Sequence, residues 1–271
     1  MGGPVKGRAL DLVASRPPGV GGVNLLREYV QFRILGQMQE ASAFMPLAFM
    51  GGTALRFLYQ IPRFSEDLDF TLERERSEFD LRRLAKAIMR GLEREGYRVT
   101  LRVNDSRVVG KALVGLPGLL AEAGLSPHSE EVLWVKLEVD TDPPAGAGLT
   151  VTTHNRFGLL RLQHHDLPSL FAGKIAAVLG REYAKGRDYY DLLWYLSRSP
   201  ALEPNTELLR NALVQTAPER AQAEDDWRAA VARRLEAVDW ADIRRDVGPF
   251  LEDVRDLELL TAESLLELLA P

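Results

Sequence analysis

The chain has 271 residues, 46% hydrophobic and 27% charged, an ordinary globular composition in a length that can bury a sizeable core. Cysteine is absent, which excludes thiol catalysis, cysteine-ligated zinc, iron–sulfur clusters and a disulfide scaffold, and suits a reducing cytoplasm. A net charge of −5 offers no global attraction to nucleic acid, and the apolar run from Phe44 to Met50 is far short of the roughly 20 residues that span a bilayer.

Residues 1–22 read as a flexible arm, broken by glycines and the Pro17-Pro18 pair, without the apolar stretch of a signal peptide. From Asn24 to Gln39 the recurrence of Leu25, Tyr29, Phe32 and Leu35 predicts a helix. The run Pro46 to Met50 predicts a buried strand, Thr53 to Tyr59 a helix, and Leu68 to Leu72 a second strand. Phe79 to Glu95 is an amphipathic helix with an apolar stripe of Leu81, Leu84, Ile88 and Leu92, and with Arg82, Arg83, Lys86, Arg90 and Arg94 around it. Strands are expected at Tyr97–Val103, Val132–Asp140 and Leu149–Thr152. Beyond Asp166 only helices are expected, over 167–181, 187–198, 205–215, 219–236 and 258–269. The change of pattern at 160–166 divides a core of 23–165 from a helical domain of 166–271.

The first chemical feature is Gly51-Gly52-Thr53, followed after thirteen residues by Asp67-Leu68-Asp69. An Asp-x-Asp on a strand puts both carboxylates on one face, about 7 Å apart at Cα. Such a pair can grip a hard divalent cation whose remaining ligands are water or phosphate oxygens. The glycines permit close approach of backbone amides to a triphosphate, with the N-terminus of the Thr53 helix facing it. Arg63 and Ser65 stand just before the acids, where a cation and a hydroxyl could meet phosphate. In the strand 132–140, Lys136, Glu138 and Asp140 alternate with Val135, Leu137 and Val139, so a third carboxylate is available; Glu138 is preferred for its mid-strand place, with Asp140 as the alternative.

Lys174 shares a helix face with Leu170, Phe171 and Val178; its stem either snorkels past the core edge or carries an ammonium into a phosphate site. Asp188 and Asp191 form an i, i+3 pair in the next helix, where capping is the default role for one of them, and Arg187 could position a carboxylate or a phosphate. His128, His154, His164 and His165 match no zinc spacing and read as surface residues.

Taken together, Met50-Gly51-Gly52-Thr53-Ala54-Leu55, Arg63-Phe64-Ser65-Glu66-Asp67-Leu68-Asp69-Phe70, Lys174 and Arg187-Asp188-x-x-Asp191-Leu192 resemble the AbiEii-type nucleotidyltransferase toxins of the polymerase-β-like superfamily. The resemblance runs from about residue 25 to the C-terminus. It implies an α+β fold, with a mixed sheet flanked by helices and a helical C-terminal domain that contributes Lys174 and Asp188 to the site. It also implies an NTP and Mg²⁺ as reagents, a cytoplasmic toxin with a cognate antitoxin, and an RNA acceptor such as the 3′ end of tRNA. Gly51, Gly52 and Thr53 would cradle phosphates, Asp67 and Asp69 would bind metal, and Lys174 would hold the triphosphate; Glu138 as the third acid rests on its strand position. Asp188 would match the last acidic motif, with Asp191 the close alternative. Rival readings are transfer to a protein or small hydroxylated molecule, and a silent member that only binds nucleotide or a partner.

Overall fold

The computed structural model describes residues 4–15, 21–218 and 226–270. It divides into two compact units, one of residues up to 59, 64–142 and 151–164, the other of 60–63, 143–150 and 165 onward.

The first unit is built on a mixed sheet of β1 (Leu47–Met50), β2 (Asp67–Leu72), β3 (Thr100–Asn104), β4 (Val109–Pro117), β5 (Val132–Asp140), β6 (Leu149–His154) and β7 (Leu160–His165), in the order β3-β4-β5-β2-β1-β7-β6. The central pairs set the chemistry. β2 runs antiparallel to β1 and parallel to β5, and the register places Met50 beside Asp69, Asp67 beside Lys136 and Asp69 beside Glu138. Leu133, Val135, Leu137 and Val139 are all buried, so the intervening polar residues of β5 share the opposite face.

Five helices join this unit: α1 (Pro4–Ala14), α2 (Gly22–Glu40), α3 (Gly51–Tyr59), α4 (Leu81–Arg94) and the single turn α5 (Leu119–Glu122). The expected arm is therefore corrected over residues 4–14. Ala9 and Val13 supply α1 with a buried edge against α2, and Lys6 pairs with Glu122 at 2.5 Å. Residues 16–20 of that expectation lie outside the described residues. α2 is buried on most sides, and three of its buried polar side chains are paired: Gln31 donates to the carbonyls of Ser65 and Glu66, Gln37 donates to Glu95, and Glu28 accepts from Arg56 and Arg156. α4 matches its periodicity, with Asp80 as N-cap accepting from the Arg83 amide.

The second unit is helical: α6 (Leu167–Gly180), α7 (Gly186–Leu196), α8 (Thr206–Thr216), α9 (Trp227–Glu236), α10 (Trp240–Val247) and α11 (Ala262–Leu269). α6 packs on α7, α8 and α9, and its core is aromatic, with Phe171 stacked on Tyr195 at 4.5 Å and met edge-on by Trp227 at 5.4 Å. The predicted helix 219–236 is found from Trp227; residues 219–225 lie outside the described residues.

Candidate active site

β1 passes into α3 with no intervening residue, because Gly51 takes φ +76°, a turn that side chains disfavour. Glycine is required there for a second reason. A Cβ on Gly51 would lie 2.5 Å from Oδ2 of Asp69 and 3.2 Å from its Cβ. The Asp69 carboxylate thus rests on the bare Cα at the start of the helix. Thr53 is fully buried, and its hydroxyl donates to the backbone carbonyl of Asp67, tying α3 to β2. That hydroxyl is engaged within the fold.

Asp67 and Asp69 occupy one face of β2, both partly exposed. The Lys136 ammonium lies 3.0 Å from Asp67 and 3.0 Å from Glu138, and Lys111 holds the other oxygen of Glu138 at 2.7 Å. Burial raises the Glu138 carboxyl, but its hydrogen bonds from Lys111 and Lys136 outweigh this and hold it below the usual carboxylate range. Asp140, by contrast, is raised by burial. Among the described residues no three His, Asp or Glu side chains gather closely enough to cage a metal ion. The donor set fits a different kind of cation site. Asp67 and Glu138, from neighbouring strands, already reach one shared cationic group, the pattern suited to Mg²⁺, which takes one or two carboxylates and completes its shell with water and phosphate oxygens.

In the helical unit, Lys174 lies 2.7 Å from both Asp188 and Asp191. Arg63 meets Asp191 through two parallel hydrogen bonds of 2.5 and 2.6 Å, both side chains sealed from solvent, and Arg181 pairs with the second oxygen of Asp188. Burial opposes the charge on Lys174, yet Asp188 and Asp191 hold its ammonium above the usual lysine range. Burial likewise opposes the charge on Asp188, and Lys174 and then Arg181 hold its carboxyl below the usual range.

A family profile described as "Nucleotidyl transferase AbiEii toxin, Type IV TA system" matches residues 33–267. The chain belongs to the AbiEii family. It is a nucleotidyltransferase of the toxin class, and a type IV toxin–antitoxin family implies an antitoxin partner. No curated protein matches it. Among solved structures it is similar to JHP933 from Helicobacter pylori, with a TM-score of 0.51 and 18% identity over 91% of this chain and 90% of that one. It is also similar to an H. pylori protein described as a candidate nucleotidyltransferase, with a TM-score of 0.50 and 18% identity over 90% and 92% of the two chains. At that identity the likeness speaks for the fold.

The AbiEii residues read from sequence fall into two sets. Gly51, Gly52, Thr53, Asp67, Asp69 and Glu138 come together in the sheet unit, and Lys174, Asp188 and Asp191 in the helical unit. Ser65 stands in the loop before β2, its carbonyl held by Gln31. Arg63 departs from the phosphate contact expected of it, because its guanidinium is buried against Asp191. Neither Asp188 nor Asp191 caps α7; both face Lys174. Arg187 stacks over Phe250 at 4.3 Å. The histidine reading is corrected for three of the four. His154, His164 and His165 are buried, His154 with its Nδ1 2.8 Å from the Phe57 carbonyl and His164 with its Nε2 2.8 Å from the Thr152 hydroxyl. Arg181 was absent from the sequence reading. Its signal was available: it follows Lys174 by seven residues, two helical turns along the same face.

Proposed function

We propose that this AbiEii member transfers a nucleoside monophosphate from an NTP to an RNA acceptor, the 3′ end of tRNA, in the cytoplasm. The observation that carries the reading is the register of β2 on β5, which aligns Asp67, Asp69 and Glu138 on one sheet face beside the Gly51-Gly52 turn. Asp67 and Asp69, with Glu138 as the third acid, would hold Mg²⁺, which when bound neutralises phosphate charge and draws electron density from the attacked phosphorus. Glu138, held ionised at neutral pH, would help orient or deprotonate an acceptor hydroxyl. The amides of Gly51 and Gly52, at a helix N-terminus, suit a phosphate oxygen. Lys174 in the helical unit would hold the triphosphate, as the family resemblance implies. The hydroxyl attacks the α-phosphorus in line, the bond to the bridging oxygen breaks, and pyrophosphate leaves. Rate enhancement comes from positioning and charge neutralisation.

RNA must be drawn by a local patch, because the net charge of −5 opposes it. The exposed face of α4 offers Arg83, Lys86 and Arg90, whereas Arg82 is paired with Asp105 at 2.7 Å. The reading is tested by incubating the chain with each labelled NTP, Mg²⁺ and separate pools of tRNA and protein, with Asp69→Asn as control. Label entering tRNA, and lost in the control or with chelator, is the expected result. Label in protein overturns the acceptor, and label in neither pool overturns the transfer.

A further inference from the structure

The ion pairs of the helical unit run from sealed to open. Side-chain exposure is 0% for Asp191, 2% for Arg63, 5% for Asp188, 13% for Lys174 and 38% for Arg181. Three cations thus share two carboxylates. Arg63 and Asp191 form a bidentate pair at the closed end, Lys174 bridges Asp191 and Asp188, and Arg181 meets Asp188 at the open end. Arg181 is the most exposed cation of the set. Lys185 feels it: burial, and then Arg187 and Arg181, hold its ammonium below the usual lysine range.

Arg181 is built to be presented. It caps the C-terminus of α6, and its backbone carbonyl is gripped by the Arg234 guanidinium at 2.9 Å. Among the described residues its guanidinium meets Asp188 through Nη1, so most of its five N–H donors can serve another acceptor. A planar fork beside a compact ammonium suits a chain of phosphates, which offers oxygens to both at once.

We propose that Arg181 is a second polyphosphate-binding cation beside Lys174, and that Arg63, Asp191 and Asp188 are positioning residues that present the two. This rests on the reading in which Lys174 holds the triphosphate. It assigns the last acidic motif to orienting cations, and it gives the sequence-predicted Arg63 a place at the base of that support.

The test uses the full chain, with inorganic tripolyphosphate as probe, in wild type, Arg181→Gln, Arg181→Lys and Lys174→Gln. Affinity is measured by isothermal titration, and KM and kcat for the NTP are measured alongside. Arg181→Gln should weaken tripolyphosphate binding about tenfold or more and raise KM for the NTP, with kcat at saturation largely kept and the unliganded melting temperature within a few degrees of wild type. Arg181→Lys should recover part of the affinity. Wild-type affinity in Arg181→Gln, while Lys174→Gln loses it, overturns the role of Arg181 and leaves that of Lys174 standing. Wild-type affinity in Lys174→Gln overturns the triphosphate reading itself. Should Arg181→Gln fail to fold, Arg181→Lys decides alone, since a lost fork must weaken binding severalfold and unchanged affinity refutes the proposal.

Discussion

Asp191→Asn and Asp69→Asn are chemically the same change, and the structure predicts opposite outcomes. The Asp191 carboxylate is fully buried between Arg63, at 2.5 and 2.6 Å, and Lys174, at 2.7 Å. Neutralising it removes the charge that Arg63 and Lys174 share, and the Arg63 guanidinium is sealed from water. Breaking a buried pair in this way costs about 3–5 kcal/mol. At about 2–4 °C per kcal/mol for a chain of this size, the melting temperature should fall by roughly 6–20 °C. Asp69 instead stands partly exposed on the sheet face. Asp69→Asn should therefore stay within a few degrees of wild type while its transfer activity falls by orders of magnitude. Differential scanning calorimetry with a labelled-nucleotide assay separates the two. An Asp191→Asn chain that melts with wild type, or an Asp69→Asn chain that keeps its activity, would refute this account of which acids support and which react.

Gly51→Ala combines a positive φ, worth about 1–2 kcal/mol, with a methyl group 2.5 Å from the Asp69 carboxylate. We expect destabilisation of about 2–4 kcal/mol by urea titration and a marked loss of transfer, since the carboxylate must move. Burial, with a smaller opposing effect of the bond to Phe57, holds the His154 imidazole below its usual value, so between the folded and unfolded values the unfolded chain binds more protons. Its contribution is fully present above about pH 6.5 and is lost as pH falls through the folded value, with a slope of at most about 1.4 kcal/mol per pH unit. His154→Gln should flatten the fall in urea midpoint between pH 7 and 5, and an unchanged slope would place the protonation elsewhere. Arg83→Glu with Lys86→Glu should weaken transfer to RNA and reduce its salt dependence by about 0.7–0.9 per lost phosphate contact, while NTP binding is kept. An unaltered rate and salt slope would move the RNA surface away from α4.

What could be read from the sequence was what a local pattern encodes. β5 alternates buried and part-exposed residues without interruption, and α4 carries an apolar stripe between Asp80 and a glycine, so both lie close to their expected ranges. β4 and β7 went unread. Val109–Pro117 holds two glycines and buries consecutive residues, and Leu160–His165 ends in two histidines that only their neighbours bury. α1 is short, opens at a proline and contains Gly7, and its helix is stabilised by packing on α2 more than by propensity. In the site, the acids could be found from a motif eight residues long, but the partner of Arg63 could not. Asp191 lies 128 residues away, and no linear spacing distinguishes a guanidinium bound for phosphate from one bound for a buried carboxylate.

The direct passage of β1 into α3 has a consequence for how a ligand is received. Most phosphate-recognition turns are loops that lose motional freedom when they close on their anion, and part of the interaction energy offsets that loss. Here the turn is one glycine between a central strand and a helix, with Thr53 fastening the helix to the next strand and a carboxylate resting on the turn itself. There is almost nothing left to order. Nucleotide recognition at this turn should resemble a key entering a fixed lock, with amide hydrogen exchange at residues 51–53 already slow in the free protein and little changed by saturating ligand.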